Sequence, residues 1–361
     1  MNLFLQQLRL IHFKSYETAD FRFTERIVAI SGKNGSGKTN LLDAIHHLSL
    51  GRSAFHKQDA LQIRHDKPFY RLDAHLQKEA LQHRIQLTYS PEEKKKLVWD
   101  GARPEKMADH VGRLPLVLIL PDEPFLMHES SEWRRSFFDN TLSQAFPAYL
   151  HHLGEYKRLL LRRNATLKYF ADRQRVDLQL LEALDVQMAA HAQAIYQSRT
   201  ENLPIIQNAV NLAYAWLSSE AEEAKLAYQS ELDTLDFPAI IKKNLKADLE
   251  GQRTHGGVHK DDYWFGLDGH SLKKTGSQGQ QKTFLLALKI AQYRFLQQHK
   301  QLNPWLLMDD IFDKLDDSRI QKLLELIQGS EVGQVFITDA RPERTEGLLS
   351  ASVASFQSVR L

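Results

Sequence analysis

The first thirty residues alternate apolar and polar positions around Leu3, Leu5, Leu8, Leu10 and then Phe21 and Phe23. That pattern predicts two half-buried strands separated by a turn near Lys14 to Glu17. Ile27-Val28-Ala29-Ile30 is instead a short continuous apolar run, the mark of a strand buried on both faces. From Asn40 to Leu50 the spacing becomes helical, through Leu41, Leu42, Ile45 and Leu48, with Gly51 placed to cap the end. Alternation returns over Tyr70–Leu76 and His83–Tyr89, with Glu92 to Lys96 as a charged hairpin tip. Leu116-Val117-Leu118-Ile119-Leu120 is a second buried-strand candidate and stops at Pro121-Asp122-Glu123-Pro124.

Between about Leu126 and Gly251 the pattern is helical. Ser131 can cap a helix carrying Trp133, Phe137, Phe138 and Leu142, and Pro147 suits the first turn of the next. That second helix carries Lys157, Arg158, Arg162, Arg163 and Lys168 away from its leucines. A third is expected from Asp177 to Arg199, a fourth from Pro204, and a fifth around Ile240, Ile241, Leu245 and Leu249. The stripes are too short for a long coiled coil and read as an inserted helical lobe. An α/β pattern resumes after His255-Gly256-Gly257, with a hairpin at Leu267-Asp268-Gly269-His270. A helix follows Ser277-Gln278-Gly279, and Trp305–Met308 and Val335–Ile337 are further buried strands. The expected fold is therefore α/β, with a head split into residues 1–125 and 251–361 around a lobe at 126–250.

Composition narrows the class. The 361 residues are 42% hydrophobic, enough for a large core, and no run approaches a membrane span. The absence of cysteine excludes disulfides and thiolate metal sites and suits the cytoplasm. Lys plus Arg number 47 against 45 for Asp plus Glu, so DNA binding would need local patches. The pairs His46-His47 and His151-His152 form no His-Glu-x-x-His zinc site and are expected on solvated helix faces.

Gly32-Lys33-Asn34-Gly35-Ser36-Gly37-Lys38-Thr39 fits the pattern of two glycines four residues apart followed by Lys and a hydroxyl residue. Its glycines let successive backbone N–H groups curl around phosphates, and the helix that follows offers its positive end. Lys38 supplies a charge for the β/γ-phosphates and Thr39 an oxygen for Mg²⁺, which makes ATP with Mg²⁺ the expected ligand. The strand Trp305–Met308 ends in Asp309-Asp310, where Asp309 would hold the metal and Asp310 would orient water or act as general base.

Gly276-Ser277-Gln278-Gly279-Gln280-Gln281 resembles the signature motif of ABC-type ATPases in the form found in the RecF family. Asp313-Lys314-Leu315-Asp316 is similar to that family's D-loop, and Gly257-Val258-His259-Lys260-Asp261-Asp262 to its stretch before the signature. Leu10-Ile11-His12-Phe13-Lys14-Ser15-Tyr16 and the tract from Asn40 through Gly51-Arg52-Ser53 also look like RecF. The resemblance implies an SMC-like P-loop ATPase head that dimerises on ATP, with Ser277, Gln278 and Gly279 of one subunit covering the γ-phosphate held by the other. It further implies a recombination mediator that binds single-stranded, double-stranded and gapped DNA and works with RecR and RecO to load RecA.

Three positions depart from the ABC pattern. Thr338-Asp339 stands at the switch without a histidine, Pro121-Asp122-Glu123 stands where a Q-loop glutamine is expected, and Asp310 replaces the usual Glu. The shorter carboxylate implies slow turnover, suited to a switch. A monomeric P-loop kinase or GTPase shares the cradle, although the chain has no Asn-Lys-x-Asp guanine signature. An SMC-like structural tether is a third reading, disfavoured by the lack of long heptad arms.

Overall fold

The structure is a computed structural model that describes residues 3–120, 130–218, 222–313 and 315–361. In chain order its elements begin β1 (Leu3–Phe13), β2 (Tyr16–Arg22), β3 (Ile27–Ser31), α1 (Lys38–Leu50), β4 (Tyr70–Lys78), β5 (Leu81–Ser90), β6 (Lys94–Trp99) and β7 (Leu116–Ile119). Next come α2 (Ser131–Ala145), α3 (Pro147–Arg173), α4 (Leu178–Leu217), β8 (Ala224–Gln229), α5 (Phe237–Gly251), β9 (Asp262–Leu267), β10 (His270–Ser271), α6 (Leu272–Thr275) and α7 (Gln278–Lys300). The chain closes with β11 (Trp305–Met308), α8 (Asp317–Gln328), β12 (Val335–Asp339), α9 (Pro342–Ser352) and β13 (Gln357–Arg360). It divides into two compact units, residues 1–123 with 285–361, and residues 124–284.

The first unit packs an antiparallel sheet and a parallel sheet about α1. The antiparallel sheet has the order β2-β1-β4-β5-β6. A bulge between Leu5 and Gln7 moves the inward face of β1 by one residue, so that Leu3 and Leu5 and then Leu8 and Leu10 are all buried. The second sheet, β13-β3-β12-β11-β7, is parallel throughout. Its inner strands β3, β12 and β11 are covered on both faces, which is why Ile27–Ser31 and Trp305–Met308 read as unbroken apolar runs. Leu41 to Leu50 of α1 are buried without exception, and Gly51 ends the helix at φ +67°.

That burial overturns one expectation. His46 and His47 lie in the core, not on a solvated face, because α1 has no solvated side for them to occupy. Burial pushes His46 down to about 4 and His47 well below its usual range, and His47 Nε2 lies 2.8 Å from Tyr70 Oη.

In the second unit, helices α2 to α5 accompany the sheet β10-β9-β8. β8 pairs antiparallel with β9 from Gln229–Asp262 to Ala224–Leu267, which ties residues 262–271 to this unit and places its boundary beyond residue 251. The turn Asp268-Gly269, at φ +47° and +80°, closes the expected β9–β10 hairpin. The two helices expected on either side of Pro204 are one helix of 40 residues. Leu184, Met188, Ala192, Ile195, Arg199, Asn202, Ile206 and Val210 keep one buried stripe in phase through the proline. That packing offsets the roughly 3 kcal/mol a proline costs in a helix interior.

A second correction concerns Arg163, expected among solvent-facing cations. It is 0% exposed, with Nε donating to Asp185 at 2.6 Å and Nη1 to Asp248 at 2.6 Å and Thr254 at 3.0 Å. Arg163→Ala leaves the fully buried Asp248 without its guanidinium, so a loss of about 3–5 kcal/mol in folding stability is expected. Arg158→Ala, removing an exposed i,i+3 pair with Glu155, should change stability by under about 0.5 kcal/mol. Denaturant melts of the two variants check the contrast; equal losses would contradict it.

Candidate nucleotide site

β3 delivers the phosphate loop at the carboxyl end of the parallel sheet, where Gly35 and Gly37 adopt φ +83° and +106°. A side chain at Gly37 would also meet Tyr16 Oη at 2.9 Å, because that hydroxyl donates to Gly37 O at 3.1 Å and braces the loop from the β1–β2 turn. Burial raises Tyr16 to about 12, keeping it a neutral donor. Lys38 is only 5% exposed and turns its ammonium onto Gly32 O at 2.9 Å and Lys33 O at 3.4 Å.

The loop has the features of an anion cradle. Ser36 Oγ is buried with no hydrogen-bond partner among the described residues. The α1 N-terminus carries neither a side-chain cap nor an acidic residue in its first turn. Phosphate oxygens would satisfy both.

Asp309 reaches this cradle from two strands away, since β12 lies between β3 and β11. Thr39 Oγ1 donates to Asp309 Oδ1 and Oδ2 at 3.1 and 3.0 Å. Thr338 at the end of β12 donates to Asp309 Oδ1 at 2.6 Å and accepts from Asp310 N at 3.0 Å. Asp310 is half-buried and takes a left-handed backbone, φ +43°. A hydroxyl and a carboxylate converging on one point form a hard oxygen donor set that suits Mg²⁺.

The family model described as RecF/RecN/SMC N terminal domain matches residues 4–357. A DNA replication and repair protein RecF of Flavobacterium johnsoniae is 38% identical over 357 residues, covering 99% of both chains. The chain belongs to the RecF family. A RecF of Cytophaga hutchinsonii is also 38% identical, over 98% of this chain and 94% of its own. The solved structure of the recombination mediator protein RecF-ATPrS in the RecFOR pathway matches with a TM-score of 0.88 at 23% identity, covering 100% of this chain and 96% of that one. An Smc head domain of Pyrococcus furiosus matches at 0.55 and 18% identity, over 99% and 93%. The fold is that of an ABC-type, SMC-like ATPase head with an inserted helical lobe.

The stretch Gly276–Gln281 that resembles the RecF signature lies in the second unit. Ser277 Oγ accepts from Gln280 N at 3.2 Å and Gln280 Oε1 accepts from Ser277 N at 2.8 Å, a reciprocal cap that opens α7. Ser277 and Gln278 are exposed and Gly279 half-buried in the first turn, so capping leaves the stretch open to solvent. The stretch before it is built into the lobe. His259 Nδ1 lies 2.8 Å from Tyr156 Oη, and burial pushes this imidazole down to about 4. Asp261 accepts from the buried Arg199 at 2.9 Å, and Asp262 pairs with Arg134 at 2.7 and 2.9 Å. Of the stretch that resembles the RecF D-loop, Asp316 caps α8 through Arg319 N at 3.0 Å, whereas Lys314 lies outside the described residues, as does Pro121-Asp122-Glu123.

Lys157, Arg158 and Arg162 are exposed on α3, while Arg163 is not. Two residues beside the phosphate loop and the carboxylates have no signal of their own in the sequence. Tyr16 lies within a RecF-like tract, and Thr338 stands at a switch position that lacks a histidine. No described helix is long and apolar enough to cross a membrane.

Proposed function

We propose that this chain is an ATP-dependent DNA-binding mediator of recombinational repair and replication restart. In this reading it dimerises on ATP at gapped or junction DNA and promotes RecA loading with RecR and RecO. The observation that supports it most is the meeting of Thr39 and Asp309 at 3.0–3.1 Å beside a phosphate loop. The chain that carries this geometry resembles RecF over 99% of its length.

Gly32 to Thr39 would cradle the phosphates, with Lys38 against the β/γ-phosphates. Thr39 and Asp309 would hold Mg²⁺, which when bound neutralises charge on the phosphate oxygens. Asp310 would accept the proton of the attacking water. Ser277, Gln278 and Gly279 would complete the partner's site, the exposed first turn of α7 offering backbone N–H groups to an anion. The functional division would then be a head of residues 1–125 and 251–361 around a lobe at 126–250, with residues 251–284 of the head packed into the lobe's compact unit. The short Asp310 carboxylate favours slow hydrolysis and use as a switch, in the cytoplasm.

Formal charge near zero, +2 overall, means a single subunit attracts DNA weakly. Lys157, Arg158 and Arg162, doubled in a dimer, would give about six phosphate contacts. Affinity should then fall on the order of 10³-fold between about 50 and 200 mM salt. Titration of gapped DNA across salt with ATP, ADP and no nucleotide tests this. Tight, salt-sensitive binding is expected with ATP alone; equal affinity in all three states would overturn the gating.

A further inference from the structure

We infer that Thr338 is a positioning residue for ATP hydrolysis, holding both carboxylates at the end of β11 through a single hydroxyl. The inference rests on the reading of Asp309 and Asp310 as metal ligand and general base. Thr338 is fully buried on β12, the strand between the phosphate-loop strand and the carboxylate strand. Its backbone pairs with Ile30, and the next residue, Asp339, pairs with Ser31 at the mouth of the loop. Its side chain reaches the other way. One residue therefore sets the spacing between cradle and carboxylates.

A hydroxyl has one proton and two lone pairs, and here the proton and one lone pair are assigned. The proton goes to Asp309 Oδ1 at 2.6 Å, so that this oxygen serves Thr338 and Thr39 while Oδ2 serves Thr39. The carboxylate is thus made asymmetric, with Oδ2 the oxygen freer to turn toward a cation. The lone pair accepts Asp310 N–H at 3.0 Å and pins a residue whose left-handed φ of +43°, though easier for Asp than for most L-amino acids, still lies above its right-handed minimum. Without that acceptor Asp310 gains by relaxing to a right-handed backbone, which swings its carboxylate away. A β-branched side chain suits the task because its χ1 is stiff.

The test uses full-length Thr338→Val, nearly the same volume without the hydroxyl, beside Thr338→Ser, which keeps it. Direct titration of ATP without Mg²⁺ should find Thr338→Val within about threefold of wild type, since the cradle is untouched. The Mg²⁺ needed for half-maximal ATP binding should rise, and kcat fall, each by about tenfold, the factor one hydrogen bond is worth. Thr338→Ser should recover both to within about threefold. Thr338→Ala, which cannot overpack, gives the same readouts should valine impair folding. Wild-type kcat and Mg²⁺ requirement in the valine or alanine variant would overturn the inference. Equal defects in the serine and valine variants, with lowered melting temperature, would also overturn it by showing that packing alone is at stake. Normal hydrolysis in Asp310→Asn would instead sink the underlying reading of the carboxylates, which separates the two failures.

Discussion

Lys38→Ala is expected to lower ATP affinity by on the order of 100-fold or more while leaving the protein folded. The ammonium is buried against two loop carbonyls, Gly32 O at 2.9 Å and Lys33 O at 3.4 Å, so it is poised over the cradle at little conformational cost. A charge-assisted hydrogen bond in such a site contributes about 1.5–3 kcal/mol, and a β/γ-bridging cation makes more than one. The remaining donors are Ser36, Thr39 and the backbone N–H groups of the α1 N-terminus, which carry no full charge, and Lys33, whose side chain is exposed to solvent. Calorimetric titration of ATP, with a thermal melt to verify folding, checks the result. Unchanged affinity in a folded variant would show that nucleotide binds elsewhere.

The second large effect is expected from Asp310→Asn. An amide is a poor proton acceptor, so turnover should fall by about 10²–10⁴-fold. Mg²⁺-dependent ATP binding should stay within about threefold, because Asp309 and Thr39 are unaltered. The backbone should also be preserved, since Asn tolerates a φ of +43° and the amide N–H bond to Thr338 does not involve the side chain. Single-turnover hydrolysis beside equilibrium binding separates the two quantities. Parallel loss of both would mean that Asp310 serves binding and not proton transfer.

Sequence revealed most where the determinants are local. The phosphate loop, the buried run at Ile27–Ile30 and the Gly51 cap are each specified by a few adjacent residues, and each stands where the pattern placed it. What escaped depends on partners distant in sequence. Pro204 is a breaker by local rules, and only the buried stripe on either side shows why α4 continues through it. His46, His47 and Arg163 read as solvated polar residues because hydropathy does not record what packs above them. Asp185 and Asp248, which neutralise Arg163, lie 22 and 85 residues away. Thr338 acquires its role from strand order, since β12 touches both the cradle and the carboxylates only because it lies between β3 and β11. No periodicity in the chain encodes that order.

ATP is expected to join two copies of this chain into the DNA-binding form. Solution mass measured by sedimentation with ATP and with ADP, in the presence and absence of gapped DNA, tests it most directly. Asp310→Asn, which retains ATP, provides the longest-lived complex. A dimer with ATP, strengthened by DNA, and a monomer of 41.7 kDa with ADP are the expected results. A monomer in every nucleotide state, for wild type and Asp310→Asn alike, would contradict the account.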